Sequence, residues 1–273
     1  RSDATMSRTR VVARSFAPAI GIVVFLVVWE LAVGLGHIRP FILRSPSDIL
    51  AYLGRAPGDF ASASSTTAVH ATAGFLIAFV IALVIGAPLA ASQFLERAAQ
   101  PVLTIIQVTP FAAYIGAVVV WLDGGAAPVL FIATLVCIPA FAFAAVAGMR
   151  SADLAGRELF ASVDASRWQV LWRLRLPSAM PSLFIAARYN VGLALIAAYL
   201  VEGSNLADEG LGAIGRRASA NNLGDPLWAT IFCMALLGSG ALLAIGTVER
   251  GVLHWHASQR GFGADRGGGS SRL

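Results

Sequence analysis

Residues able to do chemistry are few in this sequence, and most stand at spacings that exclude it. Gly210, Gly212 and Gly215 match G-x-G-x-x-G, which cradles a dinucleotide pyrophosphate when it follows a strand and opens a helix in a βαβ unit. Here the run "GLGAIG" lies between two apolar stretches with no such context, so a turn or re-entrant element is expected. His254 and His256 stand two apart and do not share a helix face, which argues against a metal pair. His37 and His70 are isolated. Ser62, Ser64 and Ser65 have no base or acid at nucleophile spacing and read as a polar loop. All 20 basic residues are Arg. A P-loop needs a lysine at the phosphates, so this chain does not carry that ATP site. No catalytic group, no metal site and no bound cofactor is expected.

The densest chemistry is the run "DASRWQVLWRLRLPSAMP" at 164–181. Ala165, Trp168, Leu171 and Trp172 recur at helical spacing and form an apolar stripe, with Arg167 and Gln169 off it. Asp164 is placed to cap this short helix and Pro177 to end it. Upstream, "SADLAGRELFASV" reads as a second short helix. One loop of this size offers little room for a phosphate track, which argues against nucleic acid. Two readings stay open on the residues alone: a helix at the lipid headgroups, or a helix laid into a partner's groove with the tryptophans as anchors.

Single polar residues inside apolar runs are the remaining candidates, because ionisable groups in lipid are costly and functional by default. These are Arg188, Asn190 and Glu202, together with Gln107 and Thr109 ahead of Pro110. Glu30 and Glu202 fall near the outer ends of their runs, and Arg188 within snorkelling reach of the inner headgroups. Each has a plainer alternative in interhelical hydrogen bonding.

These residues must be positioned by elements that lie in a bilayer. The chain of 273 residues is 57% hydrophobic and 13% charged, with a mean hydropathy of +0.74, whereas soluble domains carry about 25% charged residues. Six apolar stretches, each near the ~20 residues that cross a bilayer, fall at 16–35, 68–92, 102–122, 127–149, 182–201 and 227–248. The first is longer than the apolar core of a signal peptide, so a retained span is expected. Arginines divide 14 to 5 between the two sides, with Arg188 inside a span. The positive-inside rule then puts both termini and the 150–181 loop in the cytoplasm. The expected architecture is an all-α membrane protein of six transmembrane helices, N-in and C-in. Residues 1–15 form a cytoplasmic segment, 16–248 the transmembrane domain and 249–273 a cytoplasmic tail that ends in a Gly/Ser-rich, disordered stretch. Pro88, Pro110 and Pro139 are expected to kink their spans. Gly192, Gly238 and Gly240 are among many small residues that permit close helix approach. Cys137 and Cys233 read as buried small hydrophobes.

The 150–181 loop resembles the "EAA" signature of the membrane subunits of ATP-binding-cassette importers, E-A-A-x-x-x-G followed after nine residues by I-x-L-P. Glu158 takes the Glu position, Leu174 the Ile position and Leu176-Pro177 the terminal pair. Leu159 and Phe160 replace the two alanines and Asp164 replaces the glycine; Asp tolerates the left-handed conformation a turn there requires. The cassette, "SPSDIL" at 45–50 and "GLGAIG" also resemble the branch that handles nitrate, sulfonate and taurine. The resemblance, over roughly 40–255, implies an importer permease of the bacterial inner membrane with short cytoplasmic coupling helices between spans 4 and 5. Glu158, Asp164, Ala165, Ser166, Arg167, Trp168, Leu171, Trp172, Leu176 and Pro177 would carry the coupling to ATPases. It further implies a second permease subunit, two cytoplasmic ATPases holding ATP and magnesium, an extracytoplasmic solute-binding protein and a small, anionic solute met by Arg188. The alternative is a secondary transporter or channel without an ATPase; its expected marks, paired buried acids and inverted repeats, are not found in the sequence.

Overall fold

The computed structural model describes residues 2–36, 38–39, 42–204 and 209–253, with side chains from residue 17 onward. His37, His254, His256, the side chains of Arg8, Arg10 and Arg14, and the tail after 253 lie outside these. Every regular element among the described residues is helical. In order they are α1 (Ser2–Gly36), α2 (Pro46–Leu53), α3 (Pro57–Ala91), α4 (Gln93–Val108), a 3-10 turn (Phe111–Tyr114), α5 (Ile115–Trp121), α6 (Ala126–Arg150) and α7 (Leu154–Ser162). There follow α8 (Arg167–Val170), a π turn (Leu171–Arg175), α9 (Leu176–Glu202), α10 (Gly210–Ala220) and α11 (Gly224–Val252).

Five helices are long and apolar enough to cross a membrane, and the bent pair α4–α5 makes a sixth span if counted as one. The bend is 82° and falls at Thr109-Pro110. Pro110 has no N–H to continue the ladder, and the residue before a proline is pushed out of the helical region. Thr109 accordingly sits at φ −72°, ψ 122°. Pro88 and Pro139 remain inside α3 and α6.

The core is the sandwich of α3, α6 and α9, and it is built from alanine. Ala78, Ala82, Ala133, Ala142, Ala145, Ala179, Ala194, Ala197 and Ala198 are fully buried around Phe141 and Ile132. With lipid as apolar as leucine, close backbone approach rather than hydrophobic burial holds such helices together. Two crossings within this sandwich are equally close: a Cβ at Gly74 would lie 2.6 Å from the Ala133 Cβ, and one at Gly148 2.6 Å from the Ala179 Cα. Gly192 and Gly240 meet nothing within 4 Å and Gly238 only a leucine methyl at 3.8 Å. The small residues that set the packing are therefore others than those three.

At two places a helix runs through residues expected to lie outside it or to end it. The serines at 62–65 are helical, because α3 begins at Pro57 with proline in its first turn, where the missing N–H is not needed. Ser65 and Thr66 turn their hydroxyls back onto the Ser62 carbonyl at 2.7 and 3.2 Å, so polar residues that look like a loop are satisfied within the helix. Second, Pro177 does not end its helix. The chain runs as one helix from Arg167 to Glu202, 36 residues. The Leu176 N–H reaches back to the Leu171 carbonyl in a π turn, and Pro177 enters just after this wider turn, in the first turn of α9. Ser178 Oγ donates to the Leu174 carbonyl at 2.7 Å across the same stretch.

Candidate functional site

The 150–181 segment folds as a helical hairpin standing off one end of the bundle. Arg150, in the last turn of α6, anchors its root: the guanidinium pairs with Glu96 and donates to the Leu89 and Ala90 carbonyls at 3.2 and 3.3 Å. Those acceptors belong to the end of α3, so one side chain covers carbonyls the helix terminus leaves unpaired. The turn between α7 and α8 is a Schellman motif. Ala165 N–H donates to Phe160 O at 3.0 Å, Asp164 N–H to Ala161 O at 3.2 Å, and Asp164 has φ +47°. Asp164 thus takes the left-handed position, as expected. It does not cap the next helix: Ser166 does, in a capping box with Gln169. The S-x-x-Q pattern that specifies this box stands in the sequence at 166–169.

The apolar stripe divides on folding. Leu171 and Leu176 pack against the core, and Leu174 contacts α7, where a Cβ on Gly156 would lie 2.9 Å from its methyl. Trp168 and Trp172 turn outward, 67% and 52% exposed, with ring centroids 5.6 Å apart in an edge-to-face pair. Leu154, Leu159 and Val163 of the same hairpin are also exposed. Leu159 stands where the signature carries the first alanine and makes no internal packing there. Glu158 is exposed on α7, and Ala165 is half-buried at the turn.

Glu202 is the most heavily bonded of the sequence candidates. It is fully buried. Its Oε2 accepts from Thr67 Oγ1 at 2.6 Å and from the Gly212 N–H at 3.3 Å, and Oε1 meets His70 Nδ1 at 2.9 Å. Thr67 Oγ1 accepts in turn from the Leu211 N–H at 2.9 Å. The carboxylate therefore ties α3, α9 and the first turn of α10 into one unit. This explains the three glycines of "GLGAIG". A Cβ at Gly212 would lie 1.9 Å from the Tyr199 carbonyl oxygen, one at Gly210 2.3 Å from the Glu202 carboxylate, and one at Gly215 2.0 Å from the Tyr199 hydroxyl. Gly210 also has φ +88°, a conformation glycine adopts freely. The motif is a close-packed helix start that folds back onto the bundle, and among the described residues no strand accompanies it.

The remaining candidates are dispersed. Asn190 is fully buried between α6 and α9 and donates to the Cys137 carbonyl at 3.1 Å, an interhelical bond. Arg188 donates from Nε and Nη2 to Glu249 Oε2 at 3.1 and 2.6 Å, so its charge is matched by α11. Gln107 and Thr109 are exposed at the α4 end, with the Thr109 hydroxyl turned back to Ile105 O at 2.7 Å. Thr67, His70 and Glu249 escape sequence reading. Their partners stand 135, 132 and 61 positions away, and nothing local marks the pairing.

Comparison with known proteins follows the same lines as this geometry. Residues 74–254 match the family described as the binding-protein-dependent transport system inner membrane component. The riboflavin transport system permease protein RibX of Chloroflexus aurantiacus is 30% identical, over 92% of this chain and 96% of that protein. The taurine transport system permease protein TauC of Escherichia coli is 26% identical, over 89% and 91%. The formylaminopyrimidine transport permease protein ThiX of Halalkalibacterium halodurans is 26% identical, over 90% and 98%. Among solved structures, an inward-facing conformation of the MetNI methionine ABC transporter superposes with a TM-score of 0.62 at 19% identity. That match covers 71% of this chain and 96% of the other.

Proposed function

The chain belongs to the family of binding-protein-dependent transport system inner membrane components, and from that premise we propose how it works as the permease subunit of an ABC importer. It is a transport subunit and not a catalyst. The 154–177 hairpin lies in the cytoplasm, as do both termini, and docks into a groove of an ATPase that binds and hydrolyses ATP with magnesium. Two copies of this chain pair in the membrane, with two ATPases below and a solute-binding protein above. The observation that carries this reading is the outward pair of Trp168 and Trp172, more than half exposed on a rigidly capped helix. Large aromatics left in water at such a place fit anchors for a partner's pocket.

Closure of the ATPases on nucleotide displaces the hairpin and shifts the bundle between two states, each presenting the pathway to one side of the membrane. The solute is small and anionic, of the taurine and sulfonate type. The taurine relative supports this reading; the riboflavin relative is the reason to test it. Arg188 would meet an anion only by exchanging Glu249 for it.

The test is co-purification with a co-expressed ATPase subunit of the importer, together with uptake of the solute that its binding protein retains. Trp168→Ala with Trp172→Ala is expected to abolish both ATPase retention and uptake. Retention by the double variant, or a wild-type chain that never holds an ATPase, would falsify the docking assignment. Crosslinking of a single-cysteine variant to itself decides the homodimer, and a binding assay on the binding protein decides the solute.

A further inference from the structure

A cavity of about 620 Å³ separates the hairpin from the bundle, within the ~300–1,000 Å³ of small-ligand sites. Its floor is the end of α3, Ala87, Pro88 and Ala91, and its other wall is the docking helix, with Arg167, Trp168 and Arg175. Neither guanidinium has a hydrogen-bond or ion-pair partner among the described residues, whereas Arg150, Arg157 and Arg188 are each engaged. Two unmatched arginines beside a tryptophan, over an apolar floor at the end of a spanning helix, have the composition of a headgroup site. Basic pockets at the cytoplasmic ends of spanning helices attract anionic lipid, and Trp favours the interfacial level.

We propose that this cavity binds a phosphate group held by Arg167 and Arg175, presented by an anionic phospholipid of the inner leaflet. The assignment rests on the cytoplasmic orientation given above. Guanidinium forks match phosphate oxygens in pairs, and Ala87, Pro88 and Ala91 give the lipid's apolar portion a surface to lie on. A lipid wedged between α3 and the docking helix would fix the stand-off of the hairpin from the bundle, and so the position of Trp168.

The experiment uses the intact chain in nanodiscs of phosphatidylcholine, with or without one-third phosphatidylglycerol, and reads retained lipid by native mass spectrometry. The wild type is expected to retain phosphatidylglycerol, and Arg175→Gln to bind it about fivefold more weakly, the effect of one basic residue at an anionic surface. Arg175→Lys keeps most of the binding. Arg173→Gln, an exposed arginine of the same turn outside the cavity, leaves it unchanged. Equal losses in Arg173→Gln and Arg175→Gln would mean diffuse attraction and overturn the site. Inorganic phosphate that binds phosphatidylcholine discs and displaces phosphatidylglycerol would overturn the lipid source. Loss of ATPase co-purification in Arg175→Gln with lipid retention intact would assign the cavity to the ATPase instead. Because lipid retention is read on the chain alone, a wild type that retains lipid but never an ATPase would sink the docking reading and leave this one standing.

Discussion

Thr67 and Glu202, 135 positions apart in the chain, share a hydrogen bond of 2.6 Å at the buried root of α10. Thr67, His70 and the Gly212 amide all converge on the one carboxylate. Glu202→Ala leaves three polar groups without their acceptor in a dry site, each worth roughly 1–3 kcal/mol. The expected outcome is a destabilisation of about 3 kcal/mol or more, read as a lowered thermal midpoint in nanodiscs, with uptake lost. Glu202→Gln keeps one carbonyl acceptor and is expected to lose less than half as much. Equal effects of the two would show that size alone matters at 202.

Gly212 tests the packing of the same node from the other side. Gly212→Ala drives a Cβ against the Tyr199 carbonyl, a backbone atom that cannot swing away, and is expected to cost about 1–3 kcal/mol with uptake reduced. Gly192→Ala is the matched control, since nothing lies within 4 Å of its Cβ direction. There the helix gains roughly 0.5–1 kcal/mol. A thermal melt that ranks the two variants the other way would refute the close-packed start of α10.

Asp164 holds a left-handed turn at some cost. Asp164→Gly is expected to stabilise the hairpin by about 1 kcal/mol and to preserve ATPase retention, whereas Asp164→Val disrupts the turn and lowers it. Limited proteolysis at Arg157 and Arg167 reads the hairpin directly: slower cleavage in Asp164→Gly and faster in Asp164→Val. Faster cleavage in the glycine variant would mean the aspartate side chain does something beyond tolerating the turn.

Arg188 and Glu249 form a pair whose members should fail singly and recover together. Arg188→Gln and Glu249→Gln each leave one charge unmatched near lipid, and the double variant removes both. Uptake is expected to fall in each single variant and return in the double, with a coupling of about 1–3 kcal/mol in stability. If Arg188 also meets the solute, the double variant keeps its stability and loses uptake, with the KM raised.

What could be read from the sequence follows the range of each interaction. The Pro110 break and the left-handed Asp164 are fixed by residues next to one another, and the structure has both; the apolar stretches are equally local in origin, although the helices that carry them run beyond the expected bounds. The capping box at Ser166 is equally local, and S-x-x-Q was its visible mark; the Asp beside it is the stronger-looking cap but is held in the preceding turn. Pro177 misleads because the wider turn just before it lets the helix continue, and nothing in the neighbouring residues marks that turn. The Glu202 node is illegible for a different reason. His70 and Thr67 sit in an apolar helix with no neighbouring acid, and their partner is delivered by the fold. The glycines of "GLGAIG" carried the information, as a record of how closely α10 approaches, but a spacing shared with nucleotide sites hides it.

The helix from Arg167 to Glu202 is also a lever. Its 36 residues make a rod of about 54 Å with the hairpin tryptophans at one end and α10 tied to the other. A tilt of about 5° around its middle displaces each end by about 2 Å in opposite senses, by the geometry of such a rod. The wide turn at Leu171–Arg175 is close to the tryptophan end, so the 27 residues of α9 carry the stroke as one stiff arm. A push too small to unfold anything at one end would thereby arrive as a shift of matching size at the other.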